Sequence, residues 1–188
     1  MPGEASSIMH KIENIKEVEL ATISFGQSFQ ITPLQLMSAV STVVNGGTRV
    51  TPHFATEIVN NAGDTIKTID GTGETGVVSE KTTEIMRTVL EQVVSEGTGH
   101  NAYVEGFSIG GKTATSEKLP RRSGKYIASF IGFAPADNPQ VIAMVIIDEP
   151  QGQYYGGTIA APVMAELFEV ILPYLGIEQE MAEESENR

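Results

Sequence analysis

Residues 125–150 read KYIASFIGFAPADNPQVIAMVIIDEP, and the fold class turns on them. Ile127–Phe133 and Val141–Ile147 are apolar at nearly every position. Short runs apolar on both parities predict strands covered by helices on both faces. The connection PADNP is far too short for a crossover, so the two strands are expected to pair antiparallel. Upstream, FSIGGKTATS (107–116) predicts a third strand. Downstream, the Gly-rich link QGQYYGGT leads into a helix, IAAPVMAELFEVILPYLG. Pro162 sits near its start and Pro173 near its end, and Val163, Met164, Leu167, Phe168 and Ile171 form the stripe expected to face the sheet.

The first half of the chain has helical periodicity. In QITPLQLMSAVSTVVNGG, Thr32 is a good N-cap, Pro33 suits the first helical position, and Gln35 completes a capping box. Leu36, Met37, Val40, Val43 and Val44 share a face, and Asn45–Gly46–Gly47 ends the run. This predicts a buried structural helix. HFATEIVNNAGDTIKTI predicts a hairpin turning at Asn60, Asn61, Gly63 and Asp64. VSEKTTEIMRTVLEQVVSEGTG predicts a second helix, capped by Ser79 and ended by Gly97. Its apolar stripe is Ile85, Met86, Val89, Leu90, Val93 and Val94. The sum is α+β: an antiparallel sheet with helices packed on its faces.

The bulk properties exclude several functions. At 188 residues the length suits one domain with a real core. A net charge of -12 argues against a nucleic-acid groove, which needs clustered Lys and Arg. Cysteine is absent, which removes disulfides and thiolate chemistry. His10, His53 and His100 are far apart, so no metal-ligand spacing exists. No signal-peptide pattern and no apolar run long enough to cross a bilayer occur in the sequence. Residues 177–188 are acidic and are expected to form a solvated, disordered tail.

The chemistry is concentrated in GGKTATSEK, Gly110–Lys118. Gly110 and Gly111 would let another backbone or a ligand come close. On a strand, Lys112 and Ala114 point one way, and Thr113 and Thr115 the other. An edge strand of this kind can hold an extended peptide by β-addition, with the lysine's charge and the threonine hydroxyls serving a free carboxyl end. Four residues alone are a weak motif, and on local sequence a solvent-facing lysine at a Gly-rich strand start is the better reading.

The flanking sequence is what gives the motif weight. GGKTATSEK, followed by SGKYIASFIGFAPADNPQVIAMVIIDEP and YYGGTIAAPV, resembles the C-terminal part of class B penicillin-binding proteins, the D,D-transpeptidases that cross-link peptidoglycan. ISFGQSFQITPLQLMSAVSTVVNGG resembles the same family's helix segment. The resemblance runs over roughly residues 2 to 176, with the motifs in family order. It implies a partial penicillin-binding-protein or serine β-lactamase-like fold and no metal or organic cofactor. It implies peptidoglycan stem peptides and β-lactams as ligands, bound by the complete domain. It also implies a membrane-anchored parent with this part on the extracytoplasmic face.

The family's signature set is S-x-x-K, S-x-N and K-T-G. Lys112, Thr113 and Ala114 occupy the K-T-G position, with alanine where the family has glycine. Some sporulation-type members look similar there. S-x-x-K occurs nowhere in the sequence, and S-x-N occurs only at Ser185–Asn187, after the K-T-G position and in the acidic tail, where it reads as chance.

By resemblance, Lys112 supplies positive charge as a catalytic residue and ties into the S-x-N hydroxyl. Thr113, Ala114 and Thr115 line the substrate. The Thr113 and Thr115 hydroxyls bind the carboxylate, and the Thr115 N–H forms part of the oxyanion hole. The attacking serine that would carry the acyl intermediate is missing, so the chain is expected to be inactive alone. PGEAS near Met1 resembles family sequence downstream of S-x-N, so the chain is expected to begin inside the transpeptidase domain. The strand Val141–Ile147 would then lack a neighbour, and self-association through that exposed edge is expected. A free-standing, non-catalytic half-domain that binds a peptide or protein stays open as the alternative. A serine β-lactamase relative ranks below both.

Overall fold

The computed structural model describes residues 3–71 and 73–179. The expectation of an acidic tail falls mainly on residues outside that range. Its first residue, Ile177, is packed into the core.

Three antiparallel strands form the central sheet: β3 (Gly110–Glu117), β4 (Tyr126–Ala134) and β5 (Val141–Asp148), in that spatial order. The register is uniform. Lys112 lies opposite Ile131, which lies opposite Met144, and Ala114 lies opposite Ser129, which lies opposite Ile146. The short connection predicted antiparallel pairing, and the sheet has it. β3 begins at Gly110, later than the apolar pattern suggested, because Phe107 and Ile109 belong to the core just before the strand.

The helices cover the sheet unequally. On one face, α4 (Gly156–Ile159) and α5 (Ala161–Tyr174) pack against β4 and β5. Phe130, Met164, Phe168 and Leu172 are fully enclosed there. The buried line of α5 is Ala161, Met164, Phe168 and Leu172. The stripe read from the sequence was rotated by a fraction of a turn. Val163 and Leu167 lie on its shoulder, each 39% exposed, because a separate short α4 and a break at Ala160 set a different azimuth for α5.

On the other face, α2 (Pro33–Val44) and α3 (Glu80–Ser95) cover Phe133 and Ile142. α2 starts as expected: Thr32 Oγ1 accepts from the Gln35 N–H, and Gln35 Oε1 accepts from the Thr32 N–H. It is half-buried rather than buried, with only Thr42 and Val44 enclosed. On α3 the Ser79 cap is present, and Thr83 and Val94 face inward while Ile85 and Val89 point outward.

These two helices stop short of the far end of the sheet. β4 is therefore buried on both faces from Ala128 onward, while β5 is only half-buried and Ile146 is exposed. Two peripheral pieces complete the chain. The hairpin of β1 (Glu57–Val59) and β2 (Thr65–Thr68) turns on Asn60, whose side-chain oxygen accepts from the Ala62 and Asp64 N–H groups. Helix α1 (Glu17–Ser24) has no buried residue. No helix among the described residues is long and apolar enough to cross a membrane.

Candidate functional site

β3 is the outer strand of the three-stranded sheet, and its hydrogen bonding divides by parity. The Lys118 N–H donates to the Lys125 carbonyl at 2.8 Å, which continues the β3–β4 register. Bonded pairs alternate along an antiparallel ladder, so Lys112, Ala114 and Ser116 direct their backbone groups to β4. Thr113, Thr115 and Glu117 direct theirs to the free edge. The Thr115 N–H is therefore available to a ligand lying beside the strand.

The two glycines have a different cause from the one expected. A Cβ on Gly110 would lie 2.2 Å from the Phe133 ring, and one on Gly111 would lie 2.5 Å from the Phe130 ring. The close approach is made by rings of the chain's own β4, one on each face. These glycines seat β3 tightly on the core and fix where the following residues point.

The side chains divide by face. Thr113 and Thr115 lie on the α4 and α5 side. The Thr115 hydroxyl accepts from the Gly156 N–H at 3.0 Å. Its own O–H is then left to donate outward, the polarity a carboxylate requires. Gly156 must be glycine, because a Cβ there would sit 2.3 Å from both the Ala114 and the Ser129 carbonyl oxygens. The Thr113 hydroxyl stands 3.4 Å from that of Thr98, and Asn101 Nδ2 donates to the Gly157 carbonyl at 2.8 Å. Thr98 and Asn101 were not singled out in the sequence, since contacts this far apart along the chain leave no local pattern.

Lys112 and Ala114 lie on the opposite face and are exposed. Lys112 Nζ donates to the Thr113 carbonyl at 2.9 Å, and no hydroxyl bonds to this ammonium among the described residues. Beside it an apolar cavity of 330 Å³ opens between α2, α3 and the sheet, lined by Val40, Val43, Met86, Leu90 and Ile131.

Two further groups frame β3, and neither was identified in the sequence. Tyr126 and Tyr154 stack with centroids 4.1 Å apart, and Tyr154 and Tyr155 follow at 4.5 Å. The hydrogen bond with Tyr155 raises the Tyr154 phenol above its ordinary value. Lys118 Nζ donates to Asp148 at 3.0 Å and to Glu149 at 2.8 Å, and Lys125 Nζ lies 3.0 Å from Glu149. Hydrogen bonds to Glu149 and then Asp148 raise the Lys118 pKa, and those from Lys118 and then Lys125 lower that of Glu149. All four groups are solvent-accessible, so the network positions the β3–β4 turn more than it stabilises the fold.

The family whose description is "Penicillin binding protein transpeptidase domain" matches residues 1–169. The chain belongs to this family. Stage V sporulation protein D of Bacillus subtilis is 44% identical over 94% of this chain, and the match covers 28% of that relative's length. The transpeptidase domain of penicillin-binding protein 3 from Burkholderia pseudomallei superposes with a TM-score of 0.80 at 33% identity, over 97% of this chain and 54% of that one. Penicillin-binding protein 3 of Mycobacterium tuberculosis, solved in complex with aztreonam, superposes with a TM-score of 0.84 at 25% identity, over 95% of this chain and 43% of that one. The α+β transpeptidase fold expected from the motifs is the fold of these domains. The chain spans well under two thirds of each of these relatives.

Proposed function

We propose that this chain forms the carboxyl-binding wall of a peptidoglycan D,D-transpeptidase. Residues 1–176 act as the C-terminal portion of the domain. The observation that carries the reading is the outer edge of β3. There the Thr115 N–H is turned outward, and the Thr115 hydroxyl is held by Gly156 with its proton free to donate. In this role the Thr113 and Thr115 hydroxyls take the carboxylate of a D-Ala-D-Ala end or of a β-lactam. The Thr115 N–H is one of two donors to the oxyanion that forms when the carbonyl is attacked. Lys112 supplies the positive charge, and Ala114 borders the substrate between them.

The attacking serine is supplied by an S-x-x-K segment, which this sequence does not contain. That segment reaches Lys112 from the side of the apolar cavity, the only face on which the Lys112 side chain is presented. Donors without a nucleophile leave residual catalysis at most, so the 188 residues alone are inactive. The parent enzyme is anchored in the cytoplasmic membrane with this part outside. The 44% identity of this chain to part of a sporulation protein and the sequence KTATS favour a sporulation role for the parent.

The second edge of the sheet supports self-association. The Glu149 N–H donates to the Tyr126 carbonyl, so Ile142, Met144 and Ile146 direct their backbone groups away from β4. An unpaired apolar edge of this kind recruits another strand. Fluorescent penicillin, applied to the 188-residue chain and to a form extended upstream through S-x-x-K, tests the central reading. Labelling of the extended form alone supports it. A stable adduct on the short chain would overturn it.

A further inference from the structure

A hydroxyl can turn its proton toward any acceptor in reach, so a carboxyl site built from two of them needs something to set their direction. A donor fixed onto the hydroxyl oxygen does this, because the oxygen then accepts and the proton is left for the ligand. For Thr115 that donor is the Gly156 N–H, at 3.0 Å. For Thr113 the neighbouring group is the Thr98 hydroxyl, 3.4 Å away. Only one proton can lie between two hydroxyl oxygens. When Thr98 supplies it, the Thr113 proton stays free.

Thr98 lies in a short segment, residues 97–102, that follows α3 and is seated without slack. The Gly99 N–H donates to the Val93 carbonyl at 2.8 Å, and a Cβ on Gly99 would lie 3.0 Å from that oxygen and 3.1 Å from the Phe130 ring. Ala102 is fully enclosed in the core. The same segment rests on α4. A Cβ on Gly157 would lie 2.6 Å from the Thr98 carbonyl oxygen, and Asn101 Nδ2 donates to the Gly157 carbonyl at 2.8 Å. Asn101 thereby holds the first turn of α4, the turn whose Gly156 N–H reaches Thr115. The side chains of Thr98 and Asn101 belong to exposed residues, so core packing does not account for either contact.

We propose that Thr98 and Asn101 are positioning residues for the carboxyl site, each serving one of its two threonines. Thr98 donates to the Thr113 hydroxyl directly. Asn101 acts on the Thr115 hydroxyl through the backbone of Gly156 and Gly157. Neither side chain touches the ligand. The inference deepens the proposed function and rests on it, since it needs Thr113 and Thr115 to bind a carboxylate.

The test is a set of double-mutant cycles in the form extended upstream through S-x-x-K. The readout is the ratio of acylation rates for a penicillin and its carboxyl methyl ester, which general loosening of the fold would not move. Thr98→Val and Asn101→Ala should each lower that ratio about five-fold, the scale of one hydrogen bond. Thr98→Ser keeps the hydroxyl and should keep the ratio. In a Thr113→Val background, Thr98→Val should have no further effect while Asn101→Ala still lowers the ratio. In a Thr115→Val background the two should exchange roles. Ratios unchanged by Thr98→Val and Asn101→Ala would overturn the inference and leave the carboxyl site standing. So would a Thr98→Val effect that persists in Thr113→Val, because Thr98 would then meet the carboxylate itself. A wild-type protein that acylates with penicillin and ester at equal rates would sink the proposed function as well.

Discussion

Gly156→Ala is the most informative single perturbation of the site's geometry. The added methyl would lie 2.3 Å from two backbone oxygens, those of Ala114 on β3 and Ser129 on β4. Ordinary contact begins near 3.4 Å, so about 1 Å must be recovered by moving α4 off the sheet. Neither oxygen can swing away, because both belong to paired strands. Overpacking of this kind costs about 1–3 kcal/mol. The displacement also breaks the 3.0 Å bond from the Gly156 N–H to the Thr115 hydroxyl, worth about 1 kcal/mol. The expected loss is about 2–4 kcal/mol in urea unfolding, if the two terms add. Gly152→Ala is the control: its φ is +82° with nothing within 4 Å, so only the backbone conformational penalty of about 1 kcal/mol applies. If Gly156→Ala unfolds at the same urea concentration as Gly152→Ala, α4 does not rest on β3, and the argument for an oriented Thr115 hydroxyl fails.

Other outcomes follow from the same structure. Phe168→Ala, at a fully enclosed site between α5 and the sheet, should cost about 3–5 kcal/mol by urea denaturation. Lys112→Ala should leave the unfolding midpoint within about 0.5 kcal/mol of wild type, since the side chain is exposed. In the extended form the same change should sharply slow penicillin acylation, and normal labelling would remove Lys112 from the site. Ile146→Lys places a charge on the β5 edge and should shift sedimentation velocity profiles toward monomer; a wild-type chain that is already monomeric at high concentration would refute the edge-pairing reading. Glu149 has its pKa lowered on folding, so its contribution exists above its unfolded value and disappears as pH falls through the folded one. Glu149→Gln should therefore lower the urea midpoint slightly near neutral pH and have no effect in acid.

Local rules were enough where one element determines its own geometry. Thr32, Pro33 and Gln35 announce the start of α2 because a capping box involves only adjacent backbone groups. The strand pair β4–β5 was legible because five residues cannot make a crossover. Azimuth was not legible, because the sheet and not the helix decides which of Val163 or Leu172 faces inward. Gly110 and Gly111 were correctly singled out, but the partners that require them, Phe133 and Phe130, come from another strand. The site divides the same way. Lys112, Thr113 and Thr115 were visible as a motif, and strand alternation placed them on their two faces. The Tyr126–Tyr154–Tyr155 stack and the Lys118–Asp148–Glu149–Lys125 network were not, because each joins segments that meet only when β5 returns beside β4.

The central claim is that the edge of β3 binds a carboxylate through Thr113 and Thr115. The most direct measurement is the acylation rate of the extended form with a penicillin and with its carboxyl methyl ester. Two hydroxyl bonds to a charged group predict that esterification slows wild type about 100-fold. In the Thr113→Val, Thr115→Val double variant, penicillin and ester should react at nearly the same slow rate. If the variant still discriminates between them as wild type does, the carboxylate is held elsewhere and the assignment of this strand is wrong.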